Sequence, residues 1–284
     1  MKNYQAELFS PEKYRLAEGP LYDGRTGHLS WVDIAEGRLF WLLPDGQRGE
    51  ASFGEKLGAA IPCREGEGFV LALEKGLWLY EKGEKTLLRD LSGELEPWQR
   101  CNDAKADAAG RLWVGTVSDD MERGFNGDLF CFAGGALRKM EAGTKLANGL
   151  ARSRNGKRFF FVDSMDVAVY VYDCDPVTGA LSGKRLLYKP DKALPDGLCI
   201  DAEDNLWVAL WGGRVERVDG VTGEVLATVT VPAERVTSCC FWGEKLDSLF
   251  ITTFGDGMEG DGDGRLYTCK VDAAGLAADT AVIR

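Results

Sequence analysis

Two stretches of the chain say nearly the same thing: "KLANGLARSRNGKRFFFVDS" from Lys145 and "LPDGLCIDAEDNLWVAL" from Leu194. Each sets an amide or an acid before Gly-Leu, then a turn and an aromatic run, so Asn148 and Asp196 are the variable residues of one repeated phrase. The offset recurs elsewhere. Counting back nine residues from strand-like runs that begin at 27, 157, 205 and 247 reaches Glu18, Asn148, Asp196 and Ser238, and counting back eight from 110 reaches Asn102. If these residues converge, two carboxylates and the amide oxygens of Asn148 and Asn102 make a hard-oxygen cage. Such a cage suits Ca²⁺, Mg²⁺ or Mn²⁺, and Zn²⁺ or Fe(II) can also occupy it. Asn and Asp also open strands simply because they favour turns. Any one position therefore means little, and the coincidence of several at one phase carries the metal reading.

The elements that must position them are paired strand-like runs. "GHLSWVD" with "GRLFW" begins at 27, "GFVLAL" with "GLWLYE" at 68, and "GRLWVGT" with "GDLFCF" at 110. "KRFFFVDS" with "VAVYVYD", "NLWVAL" with "GRVERVD" and "DSLFITT" with "GRLYTC" follow from 157, 205 and 247. The starts are 41, 42, 47, 48 and 42 residues apart, which is the length of four short strands joined by tight turns. The runs are rich in Val, Leu, Phe, Tyr and Trp and are bounded by Gly, Asp and Asn, with no sustained helical periodicity. An all-β, six-bladed β-propeller of four-stranded antiparallel blades is expected, with residues 1–284 forming a single domain. A WD40 propeller is disfavoured, because its Gly-His and Trp-Asp marks occur only loosely and once, at Gly27-His28 and Trp31. The unpaired run "YQAELF" from Tyr4 is expected to close the ring as the outer strand of the last blade. In each blade a further short run precedes the pair; it is the innermost strand, and its first residues face the shared axis.

Bulk composition removes several functions. Net charge is −11 and there is no Lys/Arg-rich run, so the counterion release that drives nucleic-acid binding has nothing to work with. No apolar run is long enough for a membrane helix, and "MKNYQAELFSPEKYRL" lacks the apolar stretch of a signal peptide. A cytoplasmic protein is expected, with no nucleic-acid or membrane partner. The eight cysteines show no CxxC spacing and are expected as buried, reduced thiols.

The phrases "LAEGPLYD", "RCNDAKADAAGRLWVGT", "LANGLARS" and "LPDGLCIDAEDNLWVALWGGRV" closely resemble the SMP-30/gluconolactonase/LRE family, the sugar lactonases related to regucalcin. The resemblance runs from about Leu16 to Tyr267, with four motifs in order. It implies a six-bladed propeller with one divalent metal ion on the axis, bound by residues matching Glu18, Asn148 and Asp196. The family's Arg and Asn that hold substrate hydroxyls correspond to Arg100 and Asn102. Its sugar-contacting Glu aligns with Asp120, a shorter side chain.

Opening a lactone requires water to attack an ester carbonyl, and a metal can polarise that carbonyl and stabilise the oxyanion. Asp196 is the expected general base and Arg100 the orienting cation. Nucleophile–histidine chemistry fares badly, since His28 is the only histidine and no G-x-S-x-G elbow occurs. The loop "FGDGMEGDGDGRLY", with Asp256, Asp261 and Asp263, departs from the EF-hand pattern because Arg265 takes the third acidic place. It reads as a hairpin loop over the channel mouth. Trp98 and Trp211 flank the motif residues and suit either a pocket wall or core packing. The resulting expectation is a metal-dependent lactonase acting on a small-molecule sugar lactone such as gluconolactone or a pentonolactone. An organophosphate-hydrolysing calcium propeller and a non-catalytic calcium-binding regulator are the alternatives, with a protein scaffold last.

Overall fold

The computed structural model describes residues 1–283, which form six sheets arranged as the blades of a β-propeller. Blades 1 to 6 span residues 17–52, 57–90, 99–144, 147–188, 194–230 and 236–270. The first strand of each is innermost: Ala17–Asp23, Leu57–Pro62, Gln99–Ala106, Ala147–Arg152, Leu194–Ile200 and Val236–Trp242. Each of these six packs on the next around a closed ring. Burial follows the radius. In blade 1 the inner strand is buried throughout, whereas the outer strand Arg48–Ser52 alternates between exposed and half-buried. Strands covered on both faces can be continuously apolar, as Phe69–Leu73 is, while rim strands face water. The paired runs read from the sequence are the second and third strands of each blade.

Ring closure differs in detail from expectation. Glu7–Ser10 does pair antiparallel with Leu266–Lys270 as the outer strand of blade 6. Lys2–Gln5, however, runs parallel to Val225–Thr230 and becomes a fifth strand on blade 5. The "YQAELF" run therefore breaks at buried Ala6, whose N–H donates to the Thr230 carbonyl at 2.9 Å. Two neighbouring sheet edges each present unpaired backbone groups, and one extended segment covers both.

Buried aspartates lock the connections. Asp33 accepts the backbone N–H groups of Arg15 and Leu16 (2.8 and 3.2 Å), and Asp163 those of Lys145 and Leu146 (2.8 and 3.1 Å). In both cases the end of the second strand fixes the chain just ahead of an inner strand, three residues before Glu18 or Asn148. At the other end, Asp107 accepts from Trp113 Nε1 and Asp201 from Trp207 Nε1, at 2.8 and 3.2 Å. Asp107 is also ion-paired with Arg111 and Arg152, each at 2.7 Å. Among the described residues no helix is long and apolar enough to cross a membrane. All eight cysteines are unbridged.

Candidate active site

The site grows from an irregularity shared by all six inner strands. Each shifts register against its neighbour near its start, between Glu18 and Leu21, Leu57 and Ala59, Cys101 and Ala104, Asn148 and Leu150, Pro195 and Leu198, and Val236 and Ser238. A bulge turns a side chain out of the alternating pattern and re-aims it, here at the phase identified from the sequence. Glycine then lets the strands crowd together. A Cβ on Gly149 would lie 2.7 Å from the Asp196 carbonyl oxygen, and one on Gly197 would lie 2.0 Å from Ser238 Oγ. That close approach is why Asn148 and Asp196 are each followed by Gly.

Glu18, Asn102, Asn148 and Asp196 are all buried, at 5 to 7% exposure. The Glu18 and Asp196 carboxyls lie close enough to perturb one another's proton affinity. Glu18 also accepts the Gly19 N–H, and Asp196 Oδ2 accepts Trp211 Nε1 at 2.8 Å. Asn148 stands on the adjoining inner strand and is oriented from both sides: its Oδ1 accepts Asn102 Nδ2 at 2.6 Å, and its Nδ2 donates to Ser164 Oγ at 2.8 Å. Arg100 continues the chain of contacts, donating to Asn102 Oδ1 at 2.8 Å and to Asp119 Oδ1 at 2.7 Å. Lys56 holds the other oxygen of Asp119.

Burial and mutual repulsion shape the charges. Loss of hydration is the largest cause of the raised Glu18 pKa, followed by the charges of Asp196 and Asp103. Asp196 is pushed up to about 7, again first by burial and then by Asp103, against the opposing Trp211 hydrogen bond. Asp103 is raised by burial, and neither of its carboxylate oxygens has a hydrogen-bond partner. Among the described residues none of these three carboxyls forms an ion pair. The Lys105 ammonium acts on Glu18 and Asp103 from a distance, but one cation without an ion pair does not balance the cost of three buried carboxyls, and a cation supplied from solution relieves that cost. Among the described residues no three His, Cys, Asp or Glu side chains gather as a metal-binding group. An ion held by Glu18 and Asp196 would therefore draw its third protein donor from the Asn148 carboxamide. The donor chemistry fits a hard divalent cation.

Asp120 is placed apart from this cluster. Its carboxylate pairs with Arg123 at 3.0 Å and accepts the Glu122 N–H, while the neighbouring Asp119 is the one that contacts Arg100. Ser238 is buried beside Gly197 and its hydroxyl makes no hydrogen bond to the cage residues. Trp211 stands against Phe254 (5.9 Å between ring centroids) and under Arg235 (4.7 Å), and Arg123 lies 4.0 Å over Trp98. The glycine-rich loop is tied to this end of the molecule. Asp256 pairs with Arg15 at 2.7 Å, and Asp263 accepts the Glu234 N–H. His28 begins the second strand of blade 1 at its lower end, remote in register from Glu18. The sequence reading missed Asp103, Asp119 and Ser164. The signals were present: Asp103 follows Asn102 directly, and Ser164 follows the Asp163 that holds the start of its blade.

Comparison with known proteins follows the same lines. The model of the SMP-30/Gluconolactonase/LRE-like region matches residues 16–255, and the chain belongs to that family. Regucalcin of Danio rerio is 34% identical over 270 residues, covering 92% of this chain and 90% of its own. A solved luciferin-regenerating enzyme superposes with a TM-score of 0.91 at 27% identity, covering 98% of this chain and 99% of that one. A calcium-binding protein, regucalcin, from Agrobacterium tumefaciens shares the fold, with a TM-score of 0.90 at 24% identity and 100% and 98% coverage. Family membership is consistent with lactone hydrolysis.

Proposed function

We propose that the protein hydrolyses sugar-acid lactones, such as gluconolactone or a pentonolactone, to the free acids, using one divalent metal ion held by Glu18, Asn148 and Asp196. The observation that carries this reading is the buried, mutually perturbing Glu18 and Asp196 carboxyls, neither in an ion pair among the described residues, beside an amide oxygen whose direction is fixed by Asn102 and Ser164. A divalent cation bound there supplies Lewis-acid polarisation of the lactone carbonyl. Asp196 acts as the base. Its Oδ2 is held by Trp211, and its Oδ1 takes a proton from the attacking water as the new C–O bond forms. When the ring C–O bond breaks, the proton held on Asp196 passes to the ring oxygen, which leaves as a hydroxyl of the open-chain acid and returns Asp196 to its carboxylate form.

Arg100 and Asn102 supply the sugar-reading side. Asn102 uses its Nδ2 on Asn148 and the Ala147 carbonyl, while Arg100 presents a guanidinium that is only partly used by Asp119 and Asn102. A substrate hydroxyl can exchange with these contacts. Asp120 sits at the rim, and for it to reach a sugar the half-exposed pair with Arg123 must open, which costs about 1 kcal/mol or less. A calcium-storing regulator has no use for such a polar arm beside its ion, which is why hydrolysis is favoured over that reading. The test is acid release, followed with a pH indicator, from gluconolactone, xylonolactone, arabinonolactone and galactonolactone by chelated protein and by protein reloaded with single metals. Metal-restored hydrolysis that disappears in Asp196→Ala is expected; a rate equal to spontaneous opening for every lactone and metal would sink the proposal.

A further inference from the structure

The opposite end of the axis holds a second, separate cavity of about 280 Å³. Its walls are the last residues of the inner strands, among them Leu21, Lys105, Leu150, Leu198 and Phe241, whereas the carboxyl cluster lies at the first residues of the same strands. A strap formed by the chain after blade 6 closes it from below. The strap is anchored on one side by Leu276 N–H to the Ile200 carbonyl (3.3 Å) and on the other by Ala281 N–H to Pro62 (2.9 Å) and Val282 N–H to Gly110 (2.9 Å). Leu276 and Asp279 of the strap line the cavity.

The charges in this cavity are unbalanced. Arg152 is committed to Asp107 at 2.7 Å and to the Gly156 carbonyl at 2.6 Å. Lys105 is half-buried and makes no hydrogen bond or ion pair among the described residues. Its charge is felt by Glu18 and Asp103 above and by Cys199 and Cys240 below, which places the ammonium between the two ends of the channel. Arg154 adds a second cation, and Asp279 is the single acid of the lining. A half-buried cation without an ion-pair partner, next to Leu21, Leu150, Leu198 and Leu276, is a polar anchor beside an apolar wall.

The geometry points to a binding site for a small apolar monocarboxylate, whose head group pairs with Lys105 and whose hydrocarbon body lies along Leu21, Leu150, Leu198 and Leu276. A sugar is poorly served here, because the Ser153 hydroxyl and the Trp113 N–H of the lining are already taken by Asn155 and Asp107. A phosphate dianion is less well matched, since Asp279 opposes it, Arg152 is committed to Asp107 and Arg154 is exposed, which leaves Lys105 as the one half-buried cation to meet it. The probe is octanoate, titrated calorimetrically into the full chain, with octanol as its uncharged analogue. One site per chain is expected, with octanoate preferred over octanol by about tenfold or more, the worth of a charge-assisted contact. Lys105→Met should abolish that preference and Lys105→Arg should retain it. Asp279→Asn should tighten octanoate binding, and Asp196→Ala should leave it unchanged, which separates this site from the cage. Equal binding of octanoate and octanol, an unaffected Lys105→Met, a loss of binding in Asp196→Ala, or no saturable heat would each overturn the assignment.

Discussion

The surroundings of Asp196 pull its proton affinity in opposite directions. Burial and the nearby Asp103 raise its pKa to about 7, while the Trp211 N–H stabilises the charged form. Trp211→Phe removes only that stabilisation. The acid limb of the pH–rate profile should then move to higher pH, with the rate at pH 6 falling more than the rate at pH 8.5; an unmoved limb would show that the indole does not tune the base. The cage residues themselves were legible because a single-residue phase places Glu18, Asn148 and Asp196 at one point of successive repeats. Asp103 was not. It lies within the bulge between Cys101 and Ala104, where two residues occupy the space of one, so strict alternation sends its side chain to the wrong face. Asp119 was overlooked for a related reason: it lies just past the end of its strand, where the turn at Asp120 redirects the chain.

At the scale of the strand, the crowding of the inner ring is what holds the ligands in register. Gly197 faces Ser238 across the gap between blades 5 and 6, and an added methyl would meet Oγ at 2.0 Å and the Ser238 Cα at 3.0 Å. Overpacking of this kind costs about 1 to 3 kcal/mol. Gly197→Ala should lower the unfolding free energy by that amount and weaken binding of a metal at the proposed site, because relieving the clash shifts the strand that carries Asp196. Full metal affinity in a destabilised Gly197→Ala protein would show that the ligand geometry is independent of this contact. The blades were legible in the sequence down to their second and third strands, since Gly-bounded apolar pairs are strong signals. The split of the first ten residues between two blades was not, because pairing with one sheet edge or two leaves the same alternation of side chains.

For the whole molecule, the buried carboxyls link stability to pH and to metal. The unfolded chain releases the Asp196 proton near its ordinary pKa of about 4, whereas the metal-free folded chain keeps it up to about 7. Between these values the folded state holds more protons, so its stability falls as pH rises, by up to about 1.4 kcal/mol per unit for this group. A divalent cation takes over the proton's role and cancels the loss. The rise in melting temperature on adding Ca²⁺ or Mn²⁺ to chelated protein should therefore be larger at pH 8 than at pH 5.5. An increment that does not depend on pH would mean that the ion binds away from these carboxyls.

The central claim is that one cation on the Glu18, Asn148 and Asp196 side chains turns this propeller into a lactonase. Its most direct test is to titrate metal into chelated protein while recording the rate of acid release from the best lactone. The account predicts a rate that climbs linearly and breaks sharply at one equivalent of metal per chain, with no rise in Asp196→Ala or Glu18→Ala. Full activity in the chelated protein, or a break at one equivalent that survives both substitutions, would contradict it.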